Sequence, residues 1–544
     1  MGTDLFTGGL MVEVEGAPLA DDVAVRLAAG FVEDSGYLPD LFVLRFRDDA
    51  GVVLAKGGFV VGARVRLRVQ TSDPGGPRPL MTGEVTSVAL DVSPDGSFVE
   101  VRGMDEAHRL MRGRQVAIYP EMSVADIVRK IAHRAGLQPG DIDPLPGVGG
   151  ASGTQLNQGG LSDWEFLSRL ARTTGARVRV TDGRLSFRLA RPPSGPAVTV
   201  AAGGALLSLH ATVTSAGQVP EVEVRGWDYQ NKQAISARTA PCATESQVAG
   251  ADPVALGRRF AAPPLLAGDS TRRLPADVNA TADALAACVG GAAAELDGVV
   301  RGDPRLRAGT AITLTDVGAP FEGTYTLSAT RHSFSGATGY TTAFTVAPAD
   351  PPTSPPNGTG LVPAIVSDIH DPAGQGRVRL SLPWLADDYT SGWARVVAAG
   401  AGSDRGAVLP SEVGDEVLVG FENGDFDQPY VLGGLFNGQD APPGLSCSVI
   451  DDVTGKVNVR ALVSRAGHRL ELVDSVTDGG GVLLASGDGQ VSVRLDARTG
   501  RIEVTGATGI SIDAGAGPLE LKGARVTVTG DADVEITGAQ VRIN

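Results

Sequence analysis

Cysteine is nearly absent from this chain. Its 544 residues include only three, Cys242, Cys288 and Cys447, an odd number with wide separations. Such spacing provides neither a disulfide framework nor the closely paired cysteines of a zinc site. The sequence therefore excludes a small disulfide-stabilised fold and a structural zinc domain.

Aromatic residues are also scarce, at 5%, although apolar residues in total make up 42%. Hydrophobic cores must therefore consist mainly of valine, leucine, isoleucine and alanine. Glycine, with 73 residues, and proline, with 34, are abundant, which favours short strands joined by tight turns. A chain of this length accommodates several compact units. We therefore expect a mostly β protein with several domains.

Excess positive charge and long apolar runs are lacking as well. The formal net charge is −16, and an acidic surface repels phosphate backbones, so nucleic acid is not an expected partner. No window approaches the roughly 18 apolar residues of a membrane-spanning helix. Residues 1–10 lack a basic stretch followed by an apolar core, which predicts synthesis in the cytoplasm without a signal peptide.

The hydrophobic period changes along the chain. Alternation typical of strands fills the first 120 residues and resumes after residue 175. Between them, helical spacing predicts a helix over 123–136, with Ser123 as N-cap and Gly136 at its end, and a second from Ser162 to about Thr174, ended by Gly175. A third, alanine-rich helix is expected near 276–296, interrupted by two glycines.

A proline-rich stretch precedes a compact β region. Five prolines fall within nine residues, at Pro348, Pro351, Pro352, Pro355 and Pro356, and they predict a stiff linker. Beyond it, five strand-like runs in under 80 residues are typical of a small closed barrel such as an OB-fold.

The last part of the chain carries an internal repeat. Pairs of apolar residues recur, with first members separated by 11, 8, 9, 7, 8 and 7 positions. The pairs are Val491/Val493, Ile502/Val504, Ile510/Ile512, Leu519/Leu521, Val526/Val528, Val534/Ile536 and Val541/Ile543. Each pair predicts one short strand with one apolar face, followed by a turn.

Strands this short cannot bury their own apolar faces, so the repeats must stack. Three chains wound around one axis would point the pairs inward and leave few open strand edges, producing a stiff rod. A single-chain β-solenoid or a sandwich of short strands is the alternative. Solenoid coils usually need about 20 residues per turn, which counts against the first of these.

Several segments resemble one known family. GMDEAHRL at 103–110, with the helix that follows, and SDWEFLSRLARTTG at 162–175 resemble the hub of phage tail proteins of the late-control D type. LPSEVGDEVLVGFENGD at 409–425 and QPYVLGGLFNG at 428–438 resemble the OB domain of VgrG and phage baseplate spikes. With the repeat, the resemblance covers nearly the whole chain, in the order hub, OB-fold and β-helix.

This resemblance implies a homotrimer with two β-barrel-like hub domains carrying helical insertions, an OB-fold and an intertwined triple-stranded β-helix. The expected domains are hub β domain 1 at 1–120, a helical insertion at 121–175, hub β domain 2 at 176–347, a Pro-rich linker at 348–360, the OB-fold at 361–442, a neck at 443–460 and the spike at 461–544.

The resemblance also implies a function. The hub adapts a tail tube to the spike, and sheath contraction drives both through a target envelope. Expected partners are two further copies of the chain, tail-tube or hub-adaptor proteins, other baseplate proteins, a PAAR-type tip protein and, through it, cargo effectors. The expected location is an assembled injection particle of the phage-tail-like kind.

One partner site is predicted at the end of the repeat. Val541, Arg542, Ile543 and Asn544 follow the last turn, and three such ends would expose apolar surface and unpaired strand groups. We expect a tip protein to dock there. A frayed, solvated end is the alternative.

Signatures of catalysis and metal binding are weak. The histidines are scattered, without an H-E-x-x-H motif; they are His108, His133, His210, His332, His370 and His468. Carboxylates cluster near the OB turns, where a glycosidase pair or a calcium site competes with simple turn capping; they are Glu412, Asp415, Glu416, Glu422, Asp425 and Asp427. Turn capping is the simpler interpretation, so we expect no enzyme, cofactor or metal site.

Two other functions stay open. The first is a carbohydrate-active tailspike, which would need aromatic platforms for sugars, and residues 461–544 contain no Trp, Tyr or Phe. The second is an effector-carrying VgrG, which the short C-terminal part disfavours.

Overall fold

A computed structural model describes residues 9–71, 76–94, 96–145, 149, 154–192, 196–228, 233–248, 250–268, 272, 274–348, 360–383, 388–475 and 480–543. Most of the expected Pro-rich linker, including Pro351, Pro352, Pro355 and Pro356, lies outside these residues, as does Asn544. The chain divides into two compact units, Met1–Leu435 and Phe436–Asn544.

Strands predominate in the described residues, which confirms the expected mostly β fold. The strands are β1 (Gly9–Val14), β2 (Ala17–Pro18), β3 (Leu27–Ser35), β4 (Leu41–Arg47), β5 (Arg64–Gln70), β6 (Arg78–Ser93), β7 (Gly96–Met104), β8 (Gln115–Pro120), β9 (Gln138–Ile142), β10 (Gln155–Leu161), β11 (Ala176–Thr181), β12 (Arg184–Leu189), β13 (Val198–Ala201), β14 (Leu206–Val213), β15 (Val222–Asp228), β16 (Gln233–Thr239), β17 (Ser246–Val248), β18 (Leu265–Gly268), β19 (Ala294–Arg301), β20 (Ala311–Thr315), β21 (Gly323–Thr326), β22 (Ala329–Ser335), β23 (Gly339–Val346), β24 (Val362–Asp368), β25 (Arg379–Ser381), β26 (Arg395–Val396), β27 (Glu416–Phe421), β28 (Pro429–Gly434), β29 (Val459–Val463), β30 (Arg469–Val473), β31 (Gly481–Ala485), β32 (Val491–Asp496) and β33 (Arg501–Gly506).

Helices are fewer and mostly short. They are α1 (Asp21–Ala24), α2 (Val52–Lys56), α3 (Val124–Arg134), α4 (Asp163–Thr174), α5 (Pro253–Arg259) and α6 (Pro275–Gly291), with 3₁₀ turns at Glu106–Met111 and Glu422–Gly424. No helix within the described ranges has the length and apolarity that crossing a membrane requires.

One sheet of eleven strands dominates the first unit, in the order β14-β19-β23-β22-β3-β4-β7-β6-β5-β1-β2. It contains strands from both predicted hub domains, because β3 pairs antiparallel with β22 and places Ser35 opposite Ala329. Strands from 1–120 and from 176–347 thus belong to one continuous sheet. Alternation identifies the buried face of a strand but not the strand that pairs with it.

The first two predicted helices are confirmed. The hydroxyl of Ser123 accepts a hydrogen bond from the amide of Asp126 and begins α3. Helix α4 begins with a capping box, in which Ser162 and Glu165 each accept the other's backbone N–H. It ends at Gly175, whose φ of 69° favours glycine.

The third predicted helix is correct in position and wrong at its end. Helix α6 stops at Gly291, and Leu296 belongs to β19. Gly290 lies so close to Cys242 that a Cβ would be 2.3 Å from the Cys242 carbonyl oxygen. The glycine pair permits this close contact and lowers helix propensity, so the chain leaves the helix there.

A buried polar network holds α3 and α4 against strands β8 and β10. Arg134 forms an ion pair with Asp163 and donates to Gln158 Oε1 at 2.9 Å. The hydroxyl of Tyr119 also donates to Gln158 Oε1, at 3.0 Å. These contacts connect both helices to strand β10, whose other residues reach the neighbouring barrel.

The five strands predicted beyond the linker form a barrel, in the order β25-β24-β27-β28-β26. Its core is built from small and branched side chains, including Val366, Leu380, Ala394, Val417 and Val431. The predicted OB-fold is therefore present at the expected place.

The second unit contains an antiparallel sheet in which β29, β30, β31, β32 and β33 pair in sequence order. The expected pairing in 461–544 was between neighbouring chains, whereas the strands up to Gly506 pair within one chain. Short turns join consecutive strands, such as the one at Gly500 with a φ of 66°, and bring them together within one chain. No strand is assigned in the described residues after Gly506.

Candidate functional site

The last segment of the described chain, residues 507–543, is called the repeat segment below. All of its residues are exposed, and its apolar pairs are 51–91% exposed. These residues are Ile510, Ile512, Leu519, Leu521, Val526, Val528, Val534, Ile536, Val541 and Ile543. So many branched side chains left in water are unusual for a folded surface.

The apolar residues of the repeat segment alternate with polar ones. Glu520 separates Leu519 from Leu521, and Thr527 separates Val526 from Val528. In extended backbone, residues two positions apart point to the same side. One face of each repeat is therefore apolar and the other is polar, and within one chain the apolar face stays uncovered.

The predicted tip residues lie at the end of this segment. Val541 and Ile543 are 51% and 91% exposed. The guanidinium of Arg542 donates to Gln540 Oε1 at 3.2 Å. Asn544 lies outside the described residues, so the structure places three of the four predicted tip residues.

Turn capping accounts for part of the acidic cluster in the barrel. A carboxylate oxygen of Asp415 accepts from the amide of Glu412 at 2.8 Å, and one of Asp425 accepts from the amide of Asp427 at 3.0 Å. In the described part of the chain, no three His, Cys, Asp or Glu side chains come together as metal ligands would.

The loop between β24 and β25 is closed by one aspartate. Asp371 accepts from the amides of Ala373, Gln375 and Arg377, and forms a two-pronged ion pair with the Arg377 guanidinium. The Arg377 side chain and the backbone amides hold the pKa of Asp371 well below its usual range. Both carboxylate oxygens are thus used to shape the loop.

Two of the histidines have well-defined internal partners. His108 Nε2 lies 2.8 Å from the carboxylate of Glu84. His332 is buried between the hydroxyl of Tyr340 and the carbonyl of Leu306, each at 2.9 Å, and burial lowers the pKa of His332 to about 4. These contacts tie both histidines to neighbouring groups of the fold.

A contact between the barrel and the helical region was not predicted. Phe426 lies against Gly159 in β10 and stacks on Phe421, with ring centroids 4.8 Å apart. Tyr389 meets Phe426 edge-on at 5.6 Å. An aromatic residue inside a Gly/Asp-rich turn was the one sequence signal for this contact.

Beside these rings lies a buried polar bond. Asn157 donates its side-chain amide to Asp427, and Arg169 lies 3.9 Å from the same carboxylate. Burial, reinforced by Asp425, raises the pKa of Asp427 to about 7 against the opposing effect of Arg169. The orientation of the barrel relative to β10 is thus fixed by specific polar and aromatic contacts.

Family models match two parts of the chain. The model described as the type VI secretion system/phage-baseplate injector OB domain matches residues 362–436, which include the whole barrel. The model described as the Alg8 N-terminal domain matches residues 66–336.

Curated relatives match over short stretches. The type VI secretion system spike protein VgrG5 of Pseudomonas aeruginosa is 41% identical over 86 residues, 14% of this chain and 11% of that protein. The actin cross-linking toxin VgrG1 of Vibrio cholerae is 33% identical over 128 residues, 20% of this chain and 11% of that protein. The chain thus covers about a tenth of the length of these relatives.

Among solved structures, a chain of the half-lidded Francisella PdpA–VgrG complex is similar, with a TM-score of 0.53 and 9% identity. The match covers 92% of this chain and 89% of that one. At this identity the likeness concerns the fold. Together with the barrel match, it confirms the resemblance to VgrG and phage-baseplate spikes.

Proposed function

We propose that this chain is one subunit of the homotrimeric central spike of a contractile injection machine. The first unit forms the hub that meets the tail tube, and the repeat segment forms a rod that pierces the target envelope when the sheath contracts. The barrel match to injector OB domains supports the assignment of the machine.

The exposed apolar face of the repeat segment carries this proposal. Ten valine, leucine and isoleucine side chains of the pairs lie in water in the single chain. Burying each contributes roughly 1.5–3 kcal/mol. Partner chains that cover this face would also pair the backbone groups that lack strand partners in one chain. Association is therefore the state that this sequence favours.

Three chains are the number that the family resemblance implies, and the geometry of the repeat fits it. Two apolar residues per repeat form a narrow stripe, which suits the axis of a thin rod. Because each strand is then hydrogen-bonded to neighbouring chains, few strand edges stay unpaired and open to aggregation. Such a rod transmits force along its axis, and the chain itself catalyses no reaction.

A tip protein of the PAAR type is the proposed partner at the free end of the rod. Three copies of Val541 and Ile543 would surround the axis there, with Arg542 directed outward. An apolar, blunt end with three-fold symmetry would be covered by a tip protein whose contact surface is apolar and has matching three-fold symmetry. Tail-tube and baseplate proteins are the proposed partners of the hub, and cargo would travel with the tip.

Light scattering on the purified full chain, with negative-stain images, tests the proposal. We expect a mass of three 55.7 kDa chains and a particle that narrows to a rod. A variant that ends at Gly506 is the matched comparison and should lack the rod. A full-length chain that is monomeric at micromolar concentration would overturn the proposal.

A further inference from the structure

The first unit contains a half-open cavity that the proposed spike function does not use. Its volume is about 480 Å³, within the range of small-molecule sites. Helices α4 and α6 form two of its walls, strand β11 forms another, and the loop around Tyr37 closes one side.

Small side chains create this space. Ala171 on α4 and Ala284 and Ala287 on α6 line the cavity, and alanine is too short to fill the gap between the elements. Trp164, which is 6% exposed, supplies a large apolar wall. This part of the cavity suits an apolar group.

One side of the cavity is polar, and its charged side chains neutralise each other. Arg177 forms an ion pair with Glu245 and donates to the hydroxyl of Tyr37 at 2.8 Å. The Arg177 guanidinium also lies 5.0 Å from the Tyr37 ring centre. Burial raises the pKa of Glu245, and Arg177 opposes that shift. The charge of Arg177 is therefore already matched.

Arg172, on the last turn of α4, is different. It forms no ion pair in the described part of the chain, and its Nε, like that of Arg177, is buried without a hydrogen-bond partner. An arginine keeps its charge at any physiological pH, and a buried donor without a partner is unfavourable. The cavity therefore contains one cation that no described side chain neutralises.

We propose that this cavity binds a carboxylate attached to an apolar body, with the carboxylate on Arg172 and the body against Trp164 and the alanines. A planar guanidinium matches a carboxylate in geometry and charge. Glu165 and Glu245 also line the cavity, and they would repel a phosphate dianion more strongly than a monoanion. The structure thus favours a monoanionic ligand.

Two sources provide this chemistry: a free organic acid, or the carboxyl group of a peptide from another protein. Decanoate and acetyl-leucyl-leucine are suitable probes for the two sources. Decanol and acetyl-leucyl-leucinamide are their neutral counterparts. Calorimetry on the full-length protein measures the binding of all four.

We expect at least one acid to bind, and its neutral counterpart to bind about tenfold or more weakly. Arg172→Gln should weaken the acid about tenfold or more, whereas the exposed Arg259→Gln, which lies outside the cavity, should leave binding unchanged. Binding of decanoate alone would assign a free acid, and binding of the peptide acid alone a protein segment. Absence of binding by either acid, or undiminished binding in Arg172→Gln, overturns the proposal.

A second measurement does not depend on Arg172. Cys288 lines the cavity, whereas Cys242 is exposed elsewhere. The bound acid should slow alkylation of Cys288 at least about threefold, in proportion to occupancy, and leave Cys242 unaffected. Ala287→Leu, which fills the cavity, should abolish both binding and protection. Equal alkylation of Cys288 with and without the acid would contradict the site.

Discussion

The ring of Phe426, in the barrel, occupies the space that a side chain at Gly159 would need. A Cβ at position 159 would lie 3.1 Å from Cδ1 of that ring, closer than ordinary van der Waals contact. The two residues are far apart in the chain, and their contact fixes how the barrel meets strand β10. The close approach of the ring, and not the backbone conformation, favours glycine at this position.

We expect Gly159→Val to destabilise this junction by about 1–3 kcal/mol, because the added methyl groups displace the Phe426 ring. Denaturant unfolding of the full chain measures the change. Gly433→Val is the control, since a Cβ there meets nothing within 4 Å. Equal effects of the two substitutions would show that the ring contact does not matter.

The stability of the first unit should depend on the protonation of Asp105. This residue is buried and accepts from the amide of Ala107 at 3.0 Å. Burial, followed by the neighbouring Asp40 carboxylate, raises the pKa of Asp105 to about 8 from 3.8. Between these values the unfolded chain loses the proton that the folded chain retains, so the free energy of unfolding falls as the pH rises.

Asp105→Asn removes this titration and keeps the helix-capping acceptor. The free energy of unfolding of the variant minus that of the unsubstituted chain should rise by at least about 1.4 kcal/mol from pH 5 to pH 8, the equivalent of one pKa unit. Unfolding midpoints at the two pH values provide the measurement. The exposed Asp126→Asn should show no such gain, and a pH-independent difference for Asp105→Asn would refute the assignment.

Asp371 should contribute strongly to stability by holding the loop between β24 and β25. Its side chain is 3% exposed and paired with Arg377. Asp371→Asn leaves that guanidinium buried without its counter-charge, and we expect a loss of about 2 kcal/mol or more at pH 7. Asp368→Asn, in an exposed pair with His370, should change stability by less than about 0.5 kcal/mol. Because the pKa of Asp371 is lowered, its contribution should persist at neutral pH and disappear only in acid.

Neighbouring residues in the repeat segment should differ in how well they tolerate a charged side chain. Val528 belongs to the apolar face and Thr527 to the polar face. In the proposed trimer, Val528→Asp places a carboxylate on the axis and should cost at least about 2 kcal/mol per chain. Thr527→Asp should leave the trimer intact. Thermal unfolding followed by light scattering compares them, and equal tolerance of both charges would argue against an axial Val528.

Features encoded by local sequence were predictable. Ser123 and Ser162 begin helices and Gly175 ends one, because capping acts through hydrogen bonds to nearby amides. The five strands of the barrel were also found, since each is a short apolar run between turn residues.

Features set by distant partners were not predictable. The pairing of β3 with β22 and the contact of Phe426 with Gly159 join residues that no local pattern relates. The same limit explains the second unit: alternation predicted strands around residues 491–504, but not that they pair within one chain. The Arg172 cavity depends on alanines from two helices, whose juxtaposition is tertiary.

The β3–β22 pairing also determines when the first unit can fold. Ser35 and Ala329 face each other across the middle of the sheet although they are about 300 residues apart in the chain. Long-range pairing of this kind slows folding. During synthesis, β3 must therefore wait with one edge unpaired until β22 leaves the ribosome. An exposed edge over that interval is an opportunity for aggregation, so expression of this protein should benefit from chaperones that shield unpaired strands.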